Sequence, residues 1–171
     1  MKSSRHFLFL CLLFMLPAGK TAFCQGLSDS TLNNAVVFRV NVVQPFQFGV
    51  YAQGASGGDI IISPMGVRSV TGTVIPLNFG ATYNPLVLEV EAAKGSIVSV
   101  YSSGKNILTG SNGGKMVLRL GNMEPNSPFY IMKEPPQKTY INIGGVLSVG
   151  NAADSPPGNY SGNLYISFMV E

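Results

Sequence analysis

The sequence predicts an all-β fold, a single antiparallel β-sandwich, and three observations carry that expectation. Residues 163–170 alternate strictly, with Leu164, Ile166, Phe168 and Val170 on one face and Asn163, Tyr165, Ser167 and Met169 on the other. That is the period-two pattern of a half-buried strand. Turn-forming clusters recur at close spacing, and the 20 Gly and 11 Pro are spread as punctuation rather than gathered into low-complexity runs. No stretch shows a sustained helical period, and short strands separated by regular turn signals indicate a sandwich or barrel.

The first residues are not expected to belong to the fold. Lys2 and Arg5 form a basic start, residues 7–16 are apolar, and Pro17 and Gly19 follow, the layout of a secretory signal peptide. Lys20 arrives before the roughly 20 apolar residues that a membrane-spanning helix needs, so no span is expected after cleavage. Ala22 and Cys24 suit the small-residue positions that a signal peptidase reads, which places cleavage between Cys24 and Gln25. The bulky Phe23 argues against lipidation of Cys24. The expected organisation is a signal peptide over residues 1–24, a small and polar leader over 25–34, and one β-sandwich domain over 35–171. Export to the periplasm, the cell surface or the medium follows from that reading.

The strands can then be taken in order. Val36, Phe38, Val40 and Val42 share one face of a first strand over residues 35–43, which Pro45 ends or places at an edge. Residues 47–53 continue in extended form. After the Gly-rich turn at 54–59, Ile60, Ile61 and Ile62 form a β-branched run suited to a central strand, and residues 67–77 return beyond the turn at 63–66. Leu86, Leu88 and Val90 alternate with Val87, Glu89 and Glu91, so the second face meets water. Residues 97–101 make the next strand. Residues 107–109 and 115–120 flank Ser111, Asn112, Gly113 and Gly114, an Asn-Gly hairpin signal, with Met116, Leu118 and Leu120 inward. Pro125, Pro128, Pro135 and Pro136 forbid a long element, and that stretch is expected to cross between sheets. Strands over 139–149 and 160–170 close the domain around a turn at Pro157-Gly158.

Composition excludes much chemistry. Cys11, Cys24 and His6, which are all the cysteine and histidine of the chain, precede Gln25. Three of the 11 basic residues precede it too, which leaves 8 against 8 acidic residues. The apparent basicity therefore reflects targeting and not a nucleic-acid surface. Without cysteine there is no disulfide framework, so stability must come from an apolar core. Without histidine the usual nucleophilic triads and transition-metal sites cannot be built.

The remaining candidates read as ordinary surface. Ser102 and Lys105 have the spacing of a Ser/Lys dyad but fall in a turn with no helix to project from. Glu89 and Glu91 leave one strand on the same side with Cα atoms roughly 7 Å apart, which invites comparison with glycosidase carboxylates and is better read as a solvated face. Asp59 and Asp154 sit in Gly/Pro-rich loops without the further acidic neighbours of a Ca²⁺ loop. The glycines at 54–58 lack the Lys-Ser/Thr ending of a phosphate loop. Tyr51, Tyr83, Tyr101, Tyr130, Tyr140, Tyr160 and Tyr165 are candidates for sugar stacking or interface contacts, weighed against plain cross-strand packing. No catalytic, cofactor-binding or metal residue is assigned, and no cofactor is expected.

The step at Phe48-Gly49, the run from Gly57 and Gly58 through Ser63, Pro64, Gly66 and Arg68, the stretch Gly144-Gly145-Val146-Leu147-Ser148-Val149-Gly150, and the closing Gly158-x-Tyr160-x-Gly162 occur in that order. In this they resemble the bacterial domain-of-unknown-function family 4402, over nearly the whole of residues 25–171. The closing motif is also similar to that of spore-coat-U-type and fimbrial subunits, whose folds are immunoglobulin-like sandwiches. The resemblance implies an exported, immunoglobulin-like and pilin-like β-sandwich without catalytic residues. The expected function is a non-enzymatic structural or adhesive component of the cell surface; the alternative is a secreted carbohydrate-binding or lectin-like module. Expected partners are other copies of the chain or other surface proteins, joined by strand addition, and glycans. Residues 36–42 are the candidate donor strand, although the preferred reading makes them the domain's own first strand.

Overall fold

The structure, a computed structural model, describes residues 38–102 and 104–171. The signal segment, the leader and the start of the first strand lie outside the described residues. Among the described residues every regular element is a β-strand, and every ladder between strands is antiparallel.

The eleven-residue strand β13 (Thr139–Val149) is the axis of the larger sheet. Its first half pairs with β8 (Leu86–Glu91), from Thr139 beside Val90 to Ile143 beside Leu86. Its second half pairs with β4 (Gly58–Ile62), from Gly145 beside Ile62 to Val149 beside Gly58. The opposite edge takes β11 (Lys115–Glu124), which also faces Asn142 and Ile143, so β8 and β4 share one edge of β13, end to end. Beyond β8 lies β1 (Arg39–Gln44), beyond β4 lies β5 (Arg68–Val70), and beyond β11 come β10 (Asn106–Gly110) and β14 (Tyr160–Ser161). The second sheet is β12 (Phe129–Tyr130), β9 (Ile97–Ser102) and β15 (Ile166–Val170), with β9 central. Two short pairs complete the fold: β2 (Gln47–Phe48) with β7 (Tyr83–Asn84), and β3 (Val50–Ala52) with β6 (Ile75–Leu77).

The alternation read from the sequence decides what is buried. In β8, Leu86, Leu88 and Val90 are buried and Val87, Glu89 and Glu91 lie on the wetter face. Together with Ile141 and Ile143 of β13 they pack on Val98 and Val100 of β9 and on Phe129 and Ile131. This is a sheet-on-sheet core, the defining contact of a sandwich. A second cluster lies along the other half of β13, where Leu147 and Val149 meet Ile60, Val74, Met116 and Leu118. Each such side chain, fully buried, stabilises the fold by about 1.5–3 kcal/mol.

Several elements differ from the sequence reading, among them β11, which runs on to Glu124 beyond the expected end at Leu120. Residues 67–77 form two strands rather than one, because Gly72 turns at φ +70° and lies against Gly57 and Gly58, where any Cβ would meet the Gly57 carbonyl at 2.5 Å. Residues 160–170 are likewise divided: β14 ends beside β10 in the larger sheet, and the chain crosses at residues 162–165 to enter the smaller one as β15. The hairpin at 111–114 joins β10 to β11 as expected, but the register from Thr109 to Lys115 leaves a five-residue loop with positive φ at Gly113 and Gly114, not a two-residue Asn-Gly turn.

Candidate functional site

Of the strands that pair on one side only among the described residues, two flank the apolar faces of the core. β1 pairs only with β8, and β15 only with β9. Their inward side chains are correspondingly only half covered. Val40, Leu164, Ile166 and Phe168 are intermediate in burial and Val42 is 63% exposed, although all five stand on the apolar faces that the alternation assigns to the core.

Between these edges runs an apolar groove of about 1400 Å³. One wall is the segment from Val40 to Gln53, the other the segment from Pro156 to Phe168, and Leu86, Leu88, Leu108, Met116, Leu118 and Leu147 form the floor. The Phe38 and Phe168 rings, with centroids 5.8 Å apart and tilted by 54°, bring the two walls together at one end. Phe46 and Phe48 stack at 5.7 Å over Gly145, where a Cβ would stand 2.9 Å from the Phe46 ring. The second glycine of the Gly-Gly step thus leaves room for the tips of both rings to close on β13.

The polar side chains that line the groove are all neutral. The Tyr51 hydroxyl donates to the Met116 sulfur at 3.0 Å, and the Tyr160 hydroxyl donates to the Pro156 carbonyl at 2.6 Å. Burial, with a smaller contribution from the neighbouring Tyr160, pushes the Tyr51 phenol up to about 12, so it is a neutral donor at any physiological pH. Arg68 braces the rim from outside: its guanidinium lies 4.3 Å from the Tyr83 ring centroid and donates to the Phe48 carbonyl and to Asn78 Oδ1. Such a cation–π contact is worth about 0.5–1 kcal/mol at an exposed site.

The residues singled out in the sequence fall elsewhere. Glu89 and Glu91 lie side by side on the outer face of β8, and each is engaged: Glu89 accepts from Lys138 and from Asn41 Nδ2, and Glu91 is 3.8 Å from Arg39. Lys138 and then Asn41 hold the Glu89 carboxyl below the usual carboxylate range, and Glu89 in turn holds Lys138 above its ordinary value. Ser102 accepts a hydrogen bond from the Gly104 amide, and Lys105 is an exposed turn residue. Asp59 accepts from the Ser148 hydroxyl at 2.6 Å and faces Arg119 at 4.0 Å, while Asp154 lies in the loop before β14. Among the described residues no three His, Cys, Asp or Glu side chains are gathered as metal ligands. Gly57 and Gly58 serve the turn against Gly72. Tyr51 and Tyr160 belong to the groove, Tyr83 to its rim, and Tyr101, Tyr130, Tyr140 and Tyr165 are exposed on sheet faces.

Sequence reasoning missed the groove itself. The alternation identifies Val42 or Ile166 as inward but carries no sign of whether a layer stands opposite.

The fold and the groove define an antiparallel β-sandwich with an open apolar lane between β1 and β15. The chain matches the family described as Domain of unknown function (DUF4402) over residues 38–169, and it belongs to that family. No curated protein and no solved structure matches it.

Proposed function

We propose that the chain is an exported, non-enzymatic structural or adhesive component of the cell surface, and that its groove takes up an extended segment of another chain by strand addition. The observation that carries this reading is the apolar groove between two unpaired strand edges. At about 1400 Å³ it exceeds the roughly 300–1,000 Å³ of small-molecule pockets. An extended segment satisfies both features at once: its main chain hydrogen-bonds to a free edge, and its alternate side chains fill the floor between Leu86 and Leu147. The basic, apolar and small-residue layout before Gln25 supports export. The mutual engagement of Glu89, Glu91 and Asp59 with neighbouring side chains supports a role other than catalysis.

Of the candidate donor strand 36–42, the residues from Arg39 on pair with β8 of their own sheet, which supports the reading that they are the domain's own first strand. The donor is another stretch of alternating apolar residues. The chain beginning at Gln25 tests the reading by sedimentation over a range of concentrations, with and without a synthetic alternating Val-Thr peptide. Multimers or peptide binding that Ile166→Arg abolishes, with an unchanged circular dichroism spectrum, are expected. A chain that stays monomeric and ignores the peptide overturns the proposal.

A further inference from the structure

The outward faces of the two sheets differ in kind. On the larger sheet the outer face carries charges in pairs: Arg39 with Glu91, Lys138 with Glu89, Arg119 with Asp59. On the smaller sheet the outward strand positions are Ile97, Ser99, Tyr101, Tyr130, Ser167 and Met169, none of them charged. Tyr165 precedes β15 on the same side, its amide donating to the Asn106 side chain. Three of these tyrosines are open to solvent, Tyr101 at 52%, Tyr130 at 64% and Tyr165 at 68%.

Register places them. Ser167 lies beside Tyr101 and Ile166 beside Ser102, so Tyr165, one residue before β15, stands at the same end of the sheet as Tyr101. Tyr130 lies beside Ile97, four residues along β9 from Tyr101, which separates the two tyrosines by about 14 Å. Aromatic side chains thus stand at both ends of the three-stranded face, with Ser99 and Ser167 between them.

We propose that this outer face of β12, β9 and β15 is a binding platform for a neutral polysaccharide, with Tyr101, Tyr165 and Tyr130 as its stacking points. Three arguments select that ligand. None of the described strand positions of this face carries a cation to meet phosphate or carboxylate groups, which disfavours nucleic acid and acidic polymers. The negative face of an aromatic ring attracts the weakly positive C–H groups of a sugar ring, and the phenol and serine hydroxyls can exchange hydrogen bonds with sugar hydroxyls. The platform measures about 20 Å along the strands and about 10–15 Å across, well below the roughly 800 Å² per partner that a stable dimer buries, so a second copy of the same face is a poor occupant. Strand-borne tyrosines also lose little conformational freedom on binding. The proposal does not depend on the groove, whose lining comes from the opposite side of β15.

Affinity electrophoresis of the chain beginning at Gln25 tests it, in gels containing hydroxyethylcellulose, galactomannan, xylan or laminarin, with polygalacturonate as the acidic comparison. Retardation in at least one neutral gel is expected, with Tyr101→Ala and Tyr165→Ala each weakening it about tenfold, the order of one lost aromatic contact, and Tyr101→Phe retaining most of it. Absence of retardation in all four neutral gels, retardation that the alanine variants leave unchanged, or stronger retardation in polygalacturonate overturns the proposal. A dimer in sedimentation that Tyr101→Ala dissociates overturns it too, in favour of a self-association face.

Discussion

Glu89 illustrates how a single residue can suggest chemistry in a sequence and lose that role in the fold. Its spacing from Glu91 matches a carboxylate pair, yet Lys138, 49 positions away, and Asn41, 48 positions away, both bond to it. Neither partner can be found from local spacing, because the contacts arise only when β1, β8 and the approach to β13 are set side by side. The pair has a definite pH signature. Glu89 ionises more readily folded than unfolded, so its contribution is present above the unfolded carboxylate pKa and is lost as pH falls through the lowered folded value. Lys138 is raised, so its contribution is present below the unfolded lysine pKa and is lost as pH rises through the folded value. The stability difference between the protein and Lys138→Met, measured by urea midpoints, should therefore be level across neutral pH and vanish at both extremes. It should also shrink with added salt, as expected of a solvent-accessible pair. Steric signals are no easier to find: Gly72 sits inside what the sequence presents as one strand over 67–77 and Gly145 inside a motif, yet each stands where another backbone or an aromatic ring approaches within contact.

Among the elements, β8 is the most legible: its alternation maps directly onto burial although Leu86 and Leu88 also floor the groove, whereas β11 shifts register after Leu120 and β13 buries Ile143, Gly144 and Gly145 in succession. The closing stretch was only half legible. Leu164, Ile166 and Phe168 do point inward, but the break between β14 and β15 arises where Gly162 passes β10 so closely that a Cβ would meet the Ile107 carbonyl at 2.6 Å. No period in the sequence encodes such an approach. The same contrast predicts unequal costs for one chemical change. Ile141, fully buried in β13, should lose about 2–5 kcal/mol on Ile141→Ala. Ile166→Ala on the half-covered edge should cost clearly less, because little of a cavity forms where the groove already exists. Denaturant unfolding of both variants measures the difference, and equal losses would show that the β15 edge is packed as fully as β13.

At the scale of the molecule, the sandwich class and the family were legible because they rest on repeated local patterns and on ordered motifs. The groove was not, since it is a missing layer and every residue around it still follows the core pattern. One architectural fact has a consequence for how the protein comes apart. The two core clusters do not belong to separate sheets or separate stretches of chain: Ile141 and Ile143 anchor one and Leu147 and Val149 the other, on the same unbroken β13, and Phe46 touches both. Loss of either cluster strips one half of β13 of its neighbours and withdraws support from the other half. Melting should accordingly be cooperative, a single heat-absorption peak whose calorimetric and van't Hoff enthalpies agree, and two resolved peaks would mean that the strand can fray at its Gly144-Gly145 step while one half holds. A domain without a disulfide in its described residues keeps both ends of its core in step through one continuous strand.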